Sequence, residues 1–167
     1  HTATRTSTVG TPTVNGILIA TPGGPGNNII TNNFIGGSAA SAGGAAWTMT
    51  GAFANRFQGL NLIVSSTAAS TVSGNTIANM NWSSNSGATT LPGVWAGINM
   101  NSTGGSINIT GNTIGGTTGT GSVVITIATN SGGFSCGIGT NSTATGNISI
   151  TNNNIGSITV AGATTSI

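Results

Sequence analysis

The chain has 167 residues, of which 29 are glycine; it contains no Asp or Glu, and its Lys and Arg total two. The two fixed charges, Arg5 and Arg56, stand far apart and cannot neutralise a row of phosphates, which argues against a nucleic-acid partner. Without a carboxylate side chain, paired acid–base carboxylates, a Ser-His-Asp relay and carboxylate calcium sites are excluded. We therefore expect a protein that is not an enzyme and that needs no metal or cofactor.

The apolar residues occur in short runs that are rich in Ile, Val and Thr. Such β-branched residues fit a pleated, half-buried surface and favour strands. The longest apolar runs, such as residues 60–64, are far shorter than the roughly 20 residues that a membrane-spanning helix needs. We expect one domain over residues 1–167, without a membrane span.

In chain order, the sequence repeats one pattern four times: a Gly followed by an apolar residue, a loop, and a strand that ends in Thr or Ser, then Gly or Asn, then Asn. The Gly positions 16, 59, 97 and 137 are separated by 43, 38 and 40 residues, and the Asn positions 33, 75, 112 and 153 by 42, 37 and 41. Within each unit the distance from this Gly to this Asn is therefore nearly constant, and the variation falls between the Asn and the next Gly. Such a pattern is typical of stacked coils in which one half of each unit tolerates insertions. Apolar and polar residues alternate within the repeated half, as in residues 107–110 and 148–151, which predicts strands with one buried face.

The repeated asparagine has a physical role in this scheme. Asn tolerates a left-handed backbone at a sharp corner, and its amide can hydrogen-bond to the same amide one coil away. We therefore predict an internal ladder of stacked amides, with an isoleucine column on the inner face two residues after it. The ladder consists of Asn33, Asn75, Asn112 and Asn153, and the column of Ile35, Ile77, Ile114 and Ile155.

Residues 15–157 carry the pattern Gly-Ile, a short loop, and then Ile-x-Ile-Thr-Gly-Asn-Thr-Ile-Gly. This pattern resembles the right-handed parallel β-helix repeat of the pectin-lyase-like superfamily, which also occurs in long secreted bacterial surface proteins. The resemblance implies an all-β, right-handed parallel β-solenoid of about four ~40-residue repeats and an extracellular or cell-surface location. It carries no activity with it, because the family's hydrolases use paired carboxylates and its lyases use a Lys or Arg base beside acidic calcium ligands.

Each unit is longer than a usual coil of about 20 to 25 residues. The surplus lies in residues 36–58, 78–96 and 115–136, which contain further strand-like runs at 47–50 and 123–127. Each unit is thus either one enlarged coil with an extra strand or two coils, the second degenerate. We favour one enlarged coil because Asn55 and Asn130 repeat the corner motif only loosely.

Several residues in the variable halves admit two interpretations. Trp47, Trp82 and Trp95 either fill the wider interior under the enlarged loops or form an exposed strip that stacks on sugar rings. Cys136 is two residues before Ile138, so period-two alternation predicts a buried thiol on the same inward face. Thr-x-Thr triplets at 48–50, 118–120 and 143–145 are typical of ice-binding faces, but they do not recur at one phase of the repeat.

The leading hypothesis is a non-catalytic extracellular structural or adhesive protein, built as a rod or filament subunit. Neither end of the sequence shows an amphipathic helix or a charged cap over the core, and both ends fall in the connecting half of the repeat. We therefore expect head-to-tail stacking with copies of itself or continuation into further coils of a longer chain, with surface glycans as candidate partners. The alternative is a carbohydrate- or ice-binding β-helix module.

Overall fold

The computed structural model describes residues 2–4, 12–21, 27–50, 53–64, 68–101, 105–119, 121–127, 133–140, 146–162 and 165–166. In these ranges the regular structure is β-strand, apart from one short 3-10 helix at Ala40–Ala42. Strand β1 (Thr2–Thr4) precedes the first complete coil. The abundance of β-branched residues thus led to the correct secondary-structure class.

Each coil contains four strands. The first coil has β2 (Thr13–Thr21), β3 (Ile29–Thr31), β4 (Phe34–Ile35) and β5 (Trp47–Thr50). The second has β6 (Arg56–Val64), β7 (Ser70–Ser73), β8 (Thr76–Ile77) and β9 (Met80–Ser84). The third has β10 (Trp95–Met100), β11 (Ile107–Thr110), β12 (Thr113–Gly115) and β13 (Val123–Ile127). The fourth has β14 (Gly133–Thr140), β15 (Ile148–Thr151), β16 (Asn154–Gly156) and β17 (Ile158–Gly162), and β18 (Thr165–Ser166) follows it.

The strands form four parallel sheets, each of which takes one strand from every coil. We call them sheet I (β2, β6, β10, β14, β18), sheet II (β3, β7, β11, β15), sheet III (β4, β8, β12, β16) and sheet IV (β1, β5, β9, β13, β17). The chain visits the sheets in the order I, II, III, IV. This arrangement confirms an all-β parallel solenoid of four repeats.

The register shows that each ~40-residue unit is one coil. Leu60 pairs with Ile17 on one side and with Ile98 on the other, and Ile98 pairs in turn with Ile138. The strand-like runs at 47–50 and 123–127 are the sheet IV strands of their coils rather than parts of a second, degenerate coil. The prediction of one enlarged coil with an extra strand is therefore confirmed.

The core lies between the four sheets and follows the predicted alternation. In β11, Ile107 and Ile109 are buried, whereas Asn108 is exposed. The isoleucines of sheet III stack in register from coil to coil. Since burying one such side chain contributes about 1.5–3 kcal/mol, the repeated columns supply much of the stability.

A glycine recurs in sheet I because two backbones approach closely there. A Cβ atom on Gly59 would lie 2.5 Å from the carbonyl oxygen of Gly97 and 2.8 Å from Ile77 Cδ1, so no side chain fits. The glycine also interrupts the alternation of the strand. Phe57 and Leu60 both belong to the core although they are three residues apart.

Candidate functional site

The candidate site with the clearest geometry is the corner between sheets II and III, which contains the ladder asparagines. At this corner the positive φ belongs to the residue that precedes each ladder asparagine: Asn32 (57°), Gly74 (66°), Gly111 (65°) and Asn152 (55°). The prediction that the ladder residue itself takes the left-handed conformation is therefore wrong. The turn is made by a neighbouring Gly or Asn, residue types that adopt this conformation readily, which leaves the ladder amide free to point inward.

The four ladder asparagines are joined by side-chain hydrogen bonds. Nδ2 of Asn33 donates to Oδ1 of Asn75 over 2.9 Å, Asn75 donates in the same way to Asn112 over 2.9 Å, and Asn112 to Asn153 over 2.8 Å. Each accepting oxygen also receives the backbone N–H of the donor residue, at 3.0, 3.0 and 2.9 Å. The ladder therefore has a direction, since in each of these three bonds the amide nitrogen of one coil donates to the amide oxygen of the next.

Three of the ladder amides also donate to the backbone of the preceding coil. Nδ2 of Asn75, Asn112 and Asn153 donates to the backbone carbonyls of Ile30, Val72 and Ile109, at 2.9, 3.0 and 2.9 Å. Asn75 and Asn112 are buried, so these bonds offset the cost of removing two amides from water. The ladder fixes the register of adjacent coils, which is a structural role.

A second amide ladder lies on the outward face of sheet I. Asn61 Nδ2 donates to Asn15 Oδ1 over 3.1 Å, and Asn99 Nδ2 donates to Asn61 Oδ1 over 3.2 Å and to Gln58 Oε1 over 3.1 Å. Sequence reasoning missed this ladder. The available signal was an Asn two residues after the repeated Gly in two adjacent units, but the first and fourth coils carry Leu18 and Gly139 there.

The tryptophans line the interior rather than an outer strip. Trp82 and Trp95 are 1% and 0% exposed and pack around Phe57, with ring centroids 4.9 and 5.9 Å from it. Of the two interpretations, the filling of the wider interior therefore holds for Trp82 and Trp95, and their burial excludes an exposed glycan-stacking strip at these two positions. The coil of about 40 residues encloses a cross-section wide enough to need such large side chains. Trp47 is half-buried and packs edge-on against Phe57, with the centroids 5.6 Å apart.

Cys136 lies on the outward face of its strand. It is the neighbour of Ser135, which is in register with the inward-facing Trp95, and adjacent side chains of a strand point to opposite faces. The prediction that Cys136 shares the inward face of Ile138 is wrong, because Gly137 between them interrupts the alternation. The thiol is half-buried, and desolvation raises its pKa to about 11.

The two ends of the coil stack differ from its middle. In the fourth coil Ile148, Ile150 and Ile155 are 37%, 47% and 49% exposed, although the same positions of the third coil are fully buried. At the opposite end, a cavity of about 470 Å³ opens above the first coil, and its lining includes Ile17, Asn33, Ile35 and Trp47. The cavity thus brings together the first ladder asparagine and the half-buried tryptophan.

The described part of the chain holds little reactive chemistry. No group of three or more His, Cys, Asp or Glu side chains that could hold a metal ion occurs among the described residues. Nor does this part of the molecule contain a helix with the length and hydrophobicity that crossing a membrane requires. Arg56 Nε donates to the carbonyl oxygen of Gly93 over 2.6 Å, so this charge also takes part in holding a loop against sheet I.

Comparison of the chain with models of known protein families found no match, and comparisons with curated proteins and with solved structures found none either. The resemblance to the pectin-lyase-like repeat therefore remains a prediction.

Proposed function

We propose that the chain is a non-catalytic, extracellular structural or adhesive protein whose coil stack is extended at its open ends by further parallel coils. The observation that carries this proposal is the exposed isoleucine cluster of the fourth coil, formed by Ile148, Ile150 and Ile155. These side chains occupy inward positions of the repeat, so only another coil in the same register can bury them as their counterparts are buried. A rod that grows by adding coils is a mechanical or adhesive element rather than a compact enzyme.

The ladder supports this proposal because its two ends are complementary. Asn33 Oδ1 accepts no hydrogen bond from the described residues, and the amide of Asn153 has no coil beyond it to which it can donate. A parallel coil beyond the fourth would supply an acceptor to Asn153, and a coil before the first would supply a donor to Asn33. The cavity beside Asn33 is the space that the inward side chains of such a coil would fill.

Two sources of the added coil fit this chemistry, and they differ at the overhanging strands. A second copy stacked directly on β15 and β16 would bring its β1 to the position of β17 in sheet IV, and its β2 to the position of β18 in sheet I. Self-stacking therefore requires β1 and β18 to leave partners with which they pair over three and two residues. A further coil of a longer polypeptide meets no such conflict, since strands for sheets II and III come next in the chain order.

The interior supports the absence of catalysis in this proposal. Among the described residues, the side chains that converge between the sheets are aliphatic, aromatic, amide and hydroxyl groups, none of which titrates near neutral pH. We expect no turnover of pectin, alginate or other polyuronides, with or without calcium. Activity that survives repurification would contradict this part of the proposal.

Electron microscopy and light scattering over a range of protein concentrations test the extension. We expect thin, uniform linear particles, and we expect Ile155→Ser to shorten them because it makes the buried contact polar. Ile29→Ser is the matched control, since Ile29 is exposed on the side of the first coil and not on its end. Monomers at all concentrations, together with a folded cap that protects Ile155 from solvent, would overturn the proposal.

A further inference from the structure

The outward face of sheet II presents hydroxyl groups in a regular array. Alternation turns Val72 of β7 and Ile109 of β11 into the core, and the residues on either side of them in each strand point outward. We call this array the hydroxyl face; it consists of Thr31, Thr71, Ser73, Asn108, Thr110, Ser149 and Thr151.

The array is two-dimensional because the coils stack in register. One column runs through Thr31, Ser73, Thr110 and Thr151. The neighbouring column begins with the exposed Ile29 on the terminal strand of the sheet and continues through Thr71, Asn108 and Ser149, so its polar part spans the second to fourth coils. Parallel strands repeat about every 4.8 Å, and residues two apart along a strand repeat about every 6.6 Å. The hydroxyl groups of Thr151 and Thr110 lie 3.2 Å apart and are hydrogen-bonded, so the column is closely aligned.

The face is also preorganised. Threonine is branched at Cβ and has few side-chain rotamers, and a strand in the middle of a sheet holds its backbone fixed. A ligand that binds here therefore loses little free energy to ordering of the protein. Among the described residues of sheet II, none on this face has a charged or aromatic side chain.

These properties select the class of ligand. A rigid lattice of uncharged hydroxyl and methyl groups fits a surface that is itself periodic, uncharged and made of hydroxyl oxygens. Crystalline polysaccharides share this periodicity, but proteins commonly bind sugar rings by stacking aromatic side chains on them. Trp82 and Trp95 are buried in the core, which leaves the hydroxyl face without such rings.

We propose that the hydroxyl face of sheet II is an ice-binding surface, whose columns hold water in positions that match the oxygen lattice of ice. The lateral location of the face makes this inference independent of the end-to-end extension proposed above. It also differs from the Thr-x-Thr triplets seen in the sequence. Of these, Thr48 and Thr50 lie on sheet IV, while Thr120 and the 143–145 triplet are outside the described residues.

Sheet IV provides the internal comparison. Apolar residues occur in both of its outward columns: Val124 is in register with Asn81 and Thr159, and Thr126 with Ala161. In the described columns of sheet II the apolar residue is Ile29, at the end of its column rather than between polar residues. Thr110 and Thr126 are both outward-facing threonines of the third coil, one on each sheet. Replacing each of them by leucine introduces the same bulk into the two faces and leaves the core unchanged.

Inhibition of ice recrystallisation by the full chain, with co-purification on a polycrystalline ice surface, tests the proposal. We expect the unchanged chain and Thr126→Leu to inhibit recrystallisation and to be taken up by ice, and Thr110→Leu to lose both properties while its circular dichroism stays unchanged. Thr71→Leu is a second variant on the same face and should behave like Thr110→Leu.

Three results would overturn the inference. The unchanged chain could show no effect on ice, the Thr126→Leu variant could lose the effect while Thr110→Leu keeps it, or the chain could bind crystalline cellulose or chitin and not ice. The last result would assign the face to a polysaccharide surface. None of these outcomes depends on whether the protein forms linear particles.

Discussion

The third and fourth coils carry nearly the same residues in the same register, yet they differ sharply in burial. Ile107, Ile109 and Ile114 of the third coil are inaccessible to solvent, whereas the isoleucines that pair with them in the fourth coil are exposed. The sequences of the two coils do not explain the difference. In a solenoid, a coil is buried by its neighbours on both sides, so one missing neighbour exposes an inward face that is otherwise well designed.

The comparison extends to the polar groups. Asn112 of the third coil accepts from the coil before it and donates to the coil after it, so its amide is fully used. Asn153 of the fourth coil accepts in the same way but has only a backbone carbonyl to which it donates. A solenoid of this kind is therefore most stable in its middle, and its terminal coils open first.

The largest expected effect comes from removing one isoleucine side chain in each coil. Ile114→Ala leaves a cavity between two filled neighbours and should lower the free energy of unfolding by about 2–5 kcal/mol. Ile155→Ala removes a side chain that is already half in water and should cost clearly less. Denaturant unfolding followed by circular dichroism measures both values. Equal losses would show that the fourth coil is covered in solution, and would break the comparison.

A smaller effect is expected from the ladder. Asn112→Ala removes the acceptor of the backbone N–H of Asn75 and of one of its two side-chain N–H groups in a buried site, which should cost about 1–3 kcal/mol. Asn153→Ala should cost less because water reaches the terminal coil and replaces the lost partner. Asn108→Ala, on the outer face of the same coil as Asn112, is the control and should stay within about 0.5 kcal/mol. The denaturant midpoint should be lowest for Asn112→Ala, higher for Asn153→Ala and highest for Asn108→Ala. Equal midpoints for Asn112→Ala and Asn108→Ala would mean that the ladder contributes nothing to stability.

The sequence was sufficient for the coil stack because stacking in register requires like residues at like phase. The recurring Gly, Asn and Ile positions therefore predicted the unit length, the strands and the isoleucine column. The residue that makes the corner was also present in the sequence, as an invariable choice of Gly or Asn at positions 32, 74, 111 and 152. It was assigned to the wrong position because either Asn of an Asn-Asn pair can take a positive φ.

The open alternative at the tryptophans and the error at Cys136 both fall where neighbouring coils decide the outcome. The sequence left open whether Trp82 and Trp95 face inward, because this depends on the register of sheets I and IV, which spacings that vary from 37 to 43 residues do not fix. The extra residue at the repeated glycine moved Cys136 to the other face of its strand. Simple alternation cannot anticipate such an interruption, because it shows only in the pairing of several coils.

The smallest expected effect uses thiol chemistry to compare the two coils at one register position. Cys136 of the fourth coil is in register with Ala96 of the third, which is fully buried. Desolvation raises the pKa of Cys136 to about 11, so its thiolate is scarce at neutral pH, and alkylation by iodoacetamide should be slow and accelerate as the pH rises towards 11. A thiol placed in the third coil by Ala96→Cys, in a chain that also carries Cys136→Ser, should react more slowly still, because its neighbours on both sides exclude the reagent.

Both thiols should react at the rate of a free cysteine once the chain is denatured. If Cys136 in the folded protein already reacted that fast at neutral pH, the fourth coil would be more open than the structure shows, and if both variants reacted equally slowly, something would be covering it.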